Sequence, residues 1–210
     1  MQDAGLALLY PASVALVAIS NAQRAGAPNL AWAATVYNAI DADPQPKLRP
    51  ADGPVLWLGR FDPEKGPDLA VHACRQAGLP LVLAGKANQK SEWLYLDEVI
   101  RPLLHDQVEL VLNAPRTRTE ALLEQARALL VPIRWEEPFG MVMIEAMACG
   151  TPVLAMNRGS VPEVLRHGVS GLVGNSVDEL IALAPQLRLL NRRACRVEAE
   201  RRFSARTMAT

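Results

Sequence analysis

The stretch Leu129-Leu-Val-Pro-Ile-Arg-Trp-Glu-Glu-Pro-Phe-Gly-Met-Val-Met-Ile-Glu-Ala-Met-Ala-Cys-Gly-Thr-Pro-Val-Leu-Ala155 decides the fold. Leu129–Val131 is an apolar run of strand length, and Met141–Ala148 has the length and composition of a buried helix. Val153–Ala155 is a second short apolar run after a Gly-Thr-Pro turn. Strand, helix and strand within 27 residues form one βαβ unit. The same alternation extends outward on both sides. Apolar runs at Val55–Leu58, Leu81–Ala84 and Val108–Leu112 precede it, and Leu172–Val173 follows. Between them lie helix-period segments at Asp68–Gln76, Ser91–Leu104, Thr119–Ala128 and Val161–Arg166, with another around Val177–Ala184. The runs are nearly continuous rather than alternating, as strands covered on both faces require. The expected class is α/β: a Rossmann-like parallel sheet with helices on both faces. Ligands of such sheets sit beyond the carboxyl ends of the strands, which directs attention to the loops there.

The flanks differ from this core. Val14–Ile19 and Ala34–Tyr37 read as strands, followed by the proline-rich Asp43-Pro-Gln-Pro-Lys-Leu-Arg-Pro50. About forty residues are too few for an independent core, so residues 1–41 read as the remnant of another domain and residues 42–53 as a linker. Residues 54–185 form the main domain, and residues 186–210 a basic C-terminal helix. The tail from Gln186 carries seven Arg and two Glu in a chain of zero formal charge. The bland reading of that tail is a solvated helix or docking segment. A neutral chain near pI 6.8 offers no reason to expect nucleic acid as partner. Gly5–Ile19 is apolar, but it lacks a basic leader, is interrupted by Pro11 and is too short for a membrane span. Three scattered cysteines suit a reduced compartment, so a cytoplasmic protein without a membrane span is expected.

Familiar nucleotide and metal motifs are missing from the sequence. No G-x-G-x-x-G follows a strand, and Gly85-Lys86 lacks the rest of a phosphate-binding P-loop. No Cys/His cluster has zinc-ligand spacing. Two loops remain. Gly59-Arg-Phe-Asp-Pro-Glu-Lys-Gly66 places Arg60 and Lys65 where two cations could converge on a polyanion, or merely sit on an exposed loop. In the second loop, Glu137 precedes Pro138-Phe-Gly140 and the amino end of a helix, a natural anion site. Glu145 follows eight residues later within that apolar helix. It is either a satisfied core carboxylate or an acceptor for ligand hydroxyls. Arg158-Gly-Ser-Val-Pro-Glu163 closes onto a further short helix, with Glu163 read either as structural or as a support behind ligand-contacting residues.

Taken together, GRFDPEKG at Gly59–Gly66, EPFGMVMIEAMACGTPVLA at Glu137–Ala155 and RGSVPEVLRHGVSGLV at Arg158–Val173 resemble the family-4 retaining glycosyltransferases of the GT-B fold. The resemblance implies that this chain is mostly the second, donor-binding domain. It also implies that Arg60 and Lys65 hold the donor diphosphate, that Glu137 contacts the transferred sugar and that Glu145 accepts from the nucleotide ribose. Backbone amides of Phe139, Gly140 and Met141 would face sugar and phosphate. Arg60, Lys65 and Glu137 would carry the catalysis, with no metal and no cofactor beyond the nucleotide-diphosphate sugar donor. The expected function is hexosyl transfer with retention, this chain supplying the donor site with a separate acceptor-domain chain as its expected partner. The alternatives are a non-enzymatic nucleotide-sugar-binding subunit of a split transferase, or an inactive remnant. Two departures stand out: Ala39 replaces the usual glycine of Asn-Gly-Ile-Asp, and Leu112-Asn-Ala114 lacks a glycine after its strand.

Overall fold

The computed structural model describes residues 14–41 and 52–209. The proline-rich linker at Asp43–Pro50 and the apolar residues before Val14 lie outside the described residues. The described residues form two parallel sheets. Leu16–Ala18 (β1) pairs with Trp32–Thr35 (β2), joined by helix Asn21–Gly26 (α1). The larger sheet contains Val55–Arg60 (β3), Leu81–Lys86 (β4), Val108–Leu112 (β5), Ala128–Val131 (β6), Val153–Met156 (β7) and Gly171–Gly174 (β8). Its order is β5-β4-β3-β6-β7-β8, and every pairing is parallel. Sequence neighbours diverge at β3 and β6, so a crevice opens beyond their carboxyl ends.

Every residue of β6 and β7 is buried, as is Leu81–Gly85 of β4. Because successive side chains point to opposite faces, such strands must be covered on both. Pro67–Ala77 (α2) packs against Val177–Leu183 (α7), while Met141–Ala148 (α5) packs against Arg192–Phe203 (α8). The Rossmann-like architecture read from the apolar runs is the one observed.

Several boundaries differ from the sequence reading. The segment Ser91–Leu104 is not one α-helix: Lys90–Tyr95 (α3) is followed by a wider turn at Leu96–Ile100 and a tight turn at Arg101–Leu103. Pro102 accounts for this, since its ring would clash with a carbonyl one helical turn back and it has no N–H to donate. The next helix (α4) runs Arg116–Gln125 rather than Thr119–Ala128, starting directly after Pro115. Ala128 already belongs to β6. β2 lies two residues earlier than expected. The short helix Val161–Val164 (α6) also stops early, and beyond it the Arg166 amide turns to donate to Ser170 Oγ at 2.9 Å.

The C-terminal tail is not simply solvated. Arg192 and Arg196 on α8 are buried, and the aromatic ring of Phe203 is 1% exposed. Among the described non-glycine residues only Asn113 has positive φ, at 52°. Ala39 is therefore unstrained, and the glycine missing after β5 is replaced by Asn, which tolerates the left-handed region well.

The segment 14–41 is fastened to the main domain through Glu163. Its carboxylate accepts from the Asn21 amide at 2.8 Å, the Ala22 amide at 2.6 Å and the Tyr37 hydroxyl at 3.0 Å. Ser20 adds a side-chain cap by accepting from the Gln23 amide. Farther along, the Ile40 amide donates to the Phe203 carbonyl, and Tyr37 stacks obliquely on Phe139 and Phe203. Replacing Glu163 by Gln removes the charge opposite the amino end of α1. Local opening there should become easier by about 1–2 kcal/mol. Hydrogen exchange should show faster exchange at the Asn21 and Ala22 amides, with no change in the amides of β4 and β7.

Candidate functional site

The loop after β3 and the loop after β6 build one wall each of a shared crevice. In the first, Asp62 caps the turn Pro63–Lys65, and Gly66 ends it in the left-handed region at φ 64°. A Cβ on Gly66 would lie 2.2 Å from the Pro132 carbonyl oxygen, so only glycine allows the two loops to touch. The indole N–H of Trp57 donates to the Lys65 carbonyl at 3.0 Å and holds the turn from below. From the second loop, the Arg134 amide donates to the Glu64 carbonyl at 2.8 Å, and its guanidinium donates to the Pro63 carbonyl at 2.7 Å. The same guanidinium forks onto Asp68 of α2 at 2.8 and 2.5 Å. The Tyr95 hydroxyl donates to Asp68 as well, at 2.7 Å.

The backbone of Glu137 is gripped from the other side. The Ser160 amide donates to its carbonyl at 2.8 Å, and a Cβ on Gly159 would lie 2.3 Å from that oxygen. The adjacent Glu136 carboxylate accepts from the Gly159 amide at 2.5 Å. These contacts bring Lys65 to Glu137 across 72 positions of sequence, with Nζ donating to Oε2 at 2.8 Å. Glu137 is 8% exposed. Trp135 completes the group: its indole N–H donates to the same Oε2 at 3.1 Å, and the Lys65 ammonium lies 4.1 Å from the centre of its ring.

Lys65, Glu137, Phe139, Gly140 and Met141 all line one cavity of about 390 Å³, together with Trp57 and, from the first segment, Ile19 and Asn38. Gly140, at φ 81°, is the residue before α5, and Met141 and Val142 begin that helix beside the cavity. Their first amides have no partner within the helix and favour negative charge. The Phe139 ring itself is 2% exposed and packs edge-on against Phe203, leaving its backbone for any ligand. A second cavity, of about 410 Å³ near Asp52, Pro80 and Gln107, lies at the amino ends of the strands and contains none of these residues.

Two expected site residues lie apart from this cavity lining. Arg60 ends β3 and donates to Glu92 at 2.5 Å. Glu92 is buried and also accepts from the Asn88 and Gln89 amides; the Asn88 bond, with burial opposing it and Arg60 helping, holds its carboxyl below the usual range. Glu145 lies on the exposed side of α5, and its carboxylate makes no hydrogen bond or ion pair among the described residues. Partial desolvation lifts its carboxyl above the usual range; Arg116 opposes the rise and Glu120 adds to it. It is a carboxylate with its acceptor capacity unspent.

Trp135, Glu92 and Arg134 take part in the site without having been assigned roles from sequence. Trp135 stood next to the motif but had no spacing rule to mark it. Glu92 was concealed in a helix-period segment, where an acid near the amino end reads as an ordinary dipole partner. Among the described residues, no group of three or more His, Cys, Asp or Glu is placed to hold a metal ion. No helix among them is long and apolar enough to cross a membrane.

The family model for glycosyl transferases group 1 matches residues 40–205. The chain belongs to that family. It is 34% identical over 154 residues to the glycogen synthase of Mycobacterium tuberculosis, a match covering 69% of this chain and 36% of that protein. To the D-inositol 3-phosphate glycosyltransferase of Acidothermus cellulolyticus it is 35% identical over 144 residues, covering 61% and 32%. The chain therefore spans about a third of the length of these relatives. Solved structures agree on the fold. Sucrose-phosphate synthase from Thermosynechococcus elongatus superposes with a TM-score of 0.76 at 24% identity, over 92% of this chain and 55% of that one. Anabaena Alr3699/HepE in complex with UDP-glucose gives 0.77 at 22% identity, over 92% and 61%. The six-stranded sheet is thus a GT-B transferase domain of the group 1 family.

The Arg134–Asp68 contact gives this site a pH signature. Burial alone would raise the Asp68 carboxyl, but hydrogen bonds from Arg134 and Tyr95 outweigh it and hold the group below the usual range. A depressed carboxyl contributes stability above its unfolded pKa of about 3.9, and that contribution fades as pH falls from there through the folded value. Asp68→Asn should therefore lower the unfolding free energy at pH 7, with the gap to wild type shrinking below about pH 4. Urea unfolding at several pH values would reveal it, and a gap independent of pH would exclude the ion pair as the cause.

Proposed function

We propose that this chain is the donor-binding part of a retaining glycosyltransferase, moving a hexose from a nucleotide-diphosphate sugar to an acceptor held elsewhere. The observation that carries this reading is the meeting of Lys65, Glu137 and the amino end of α5 around one cavity at the carboxyl edge of the sheet. Rupture of a sugar–phosphate bond leaves negative charge on the diphosphate. Lys65, the amides at Gly140–Val142 and a guanidinium swung from Glu92 at Arg60 are suited to stabilise it without a metal. Each such contact is worth about 2–4 kcal/mol in a preorganised site. Glu137 would accept from sugar hydroxyls and Glu145, whose carboxylate is unpaired, from the nucleotide ribose. The presence of UDP-glucose in the Anabaena neighbour supports a nucleotide sugar as ligand.

Residues 14–41 fit the same reading as the base of an acceptor domain, since Ile19 and Asn38 reach the cavity while Val14 and Val17 remain exposed. A separate acceptor-domain chain is the partner proposed. A reducing, cytoplasmic setting is part of the proposal. The three thiols are unpaired, and burial pushes Cys74 and Cys195 up to about 12 and Cys149 up to about 11.

Calorimetric titration with UDP, GDP and ADP tests the assignment. One nucleotide should bind saturably in the presence of EDTA, with affinity falling about tenfold or more in Arg60→Ala and in Glu145→Ala. The purified chain should transfer no sugar unaided. A folded chain that binds none of the three, nor any of their sugar-bearing forms, would sink the donor-site reading.

A further inference from the structure

Lys65 is held twice in this structure, by Glu137 Oε2 at 2.8 Å and by the Trp135 ring at 4.1 Å. Trp135 also donates to that same Oε2, so ring, ammonium and carboxylate form a closed group of three. The other oxygen of Glu137 makes no hydrogen bond among the described residues, although the residue lines the cavity. A diphosphate that binds Lys65 competes with Glu137 for its charge. Glu137, 8% exposed and with one further N–H donor from Trp135, is then less well compensated. Leaving a mostly buried carboxylate without its counter-ion is costly, and hydroxyl donors brought to it offset that cost.

On the donor-site reading above, we infer that Glu137 and Trp135 act together as a specificity device that favours a nucleotide still carrying its sugar over the bare nucleoside diphosphate. The sugar hydroxyls supply Glu137 with the donors that replace Lys65. A bare diphosphate has none to offer, so it gains Lys65 only by stranding the carboxylate. The selection follows from three residues already assembled within the protein and needs no moving lid. It also favours departure of the nucleotide once the sugar has gone.

The test compares UDP with UDP-glucose, GDP with GDP-mannose and ADP with ADP-glucose, by calorimetry on the wild-type chain and two variants. Wild type should bind the sugar-bearing member of one pair more tightly. Glu137→Gln removes the charge that competes for Lys65, so the bare diphosphate should bind about three- to tenfold more tightly while the nucleotide sugar weakens. Trp135→Phe keeps a ring beneath Lys65 but loses the N–H that orients Glu137, and it should narrow the same ratio by weakening the nucleotide sugar. A merely structural role for either residue would weaken both ligands in parallel. Unchanged or weaker diphosphate binding in Glu137→Gln, or an unchanged ratio in Trp135→Phe when Glu137→Gln does not fold, would overturn the inference and leave the donor site standing. Failure of wild type to bind any of the six ligands would overturn both.

Discussion

Arg134 ties together elements that are otherwise remote in sequence. Its amide and guanidinium donate to carbonyls of the loop after β3, while its fork engages Asp68 at the start of α2. One carbonyl and a forked carboxylate around one side chain suit a planar guanidinium, whose fixed fork a lysine ammonium does not reproduce. The contact succeeds only because Gly66 lets the loops meet without a Cβ in the way. With the loops locked, the Lys65 ammonium has little choice of neighbour, and Glu137 is the acid within reach. The chemistry of the crevice is therefore a consequence of backbone closure one step behind it.

The two acids of the Glu137–Glu145 element divide the work because their surroundings differ. Glu137 lies before the helix, gripped by Gly159 and Ser160, mostly buried and paired. Glu145 lies a little over a turn into α5, on its outer side, its carboxylate without a hydrogen-bonding partner among the described residues and with Arg116 and Glu120 acting on it only through space. A spacing of eight residues thus does not put both on one rigid face. The loop before α5 bends at Gly140 in the left-handed region, turning the first acid toward Lys65 while leaving the second to the helix. Without glycine at 140, a φ of 81° would be strained and the division would weaken.

Most of the sheet was legible because buried parallel strands need apolar side chains on both faces. Val153–Met156 and Leu81–Lys86 could hardly be read otherwise. Helix Met141–Ala148 matched its expected bounds, since Gly140 and the Cys149-Gly150 pair mark both ends locally. Pro102 was equally visible, yet its effect on Ser91–Leu104 depends on how a helix accommodates a lost donor, and periodicity does not report that. In the site, Lys65 and Glu137 stood out by residue type and position after a strand. The Arg60–Glu92 pair did not, because it spans 32 residues and depends on α3 beginning where Gln89 caps it. Glu163 was legible as structural, but not as the anchor of residues 141 or more positions earlier in the chain.

Five of the chain's 18 arginines, against 4 lysines in all, lie on the C-terminal helix, and three of them have an interior role. Arg192 is buried with no acid beside it, and burial lowers its pKa. Its guanidinium instead donates to the Glu124 and Ala126 carbonyls at the end of α4 and to Thr151 Oγ1. Arg196 donates to the Ala148 carbonyl at the end of α5, and Arg202 to the carbonyls of Val164 and Glu163 at the end of α6. Three helices thus expose their negative ends to three of the five guanidinium groups on one helix. Unpaired carbonyls at a helix end attract cations and need donors. A carbonyl cluster disperses charge over several partial dipoles, so Arg192 is tolerated without an acid, whereas Arg196 and Arg202 also pair with Glu200 and Glu198. Arg192, Arg196 and Arg202 thus cap the sheet's helices from within, while Arg188, Arg193, Arg201 and Arg206 of the same tail stay exposed.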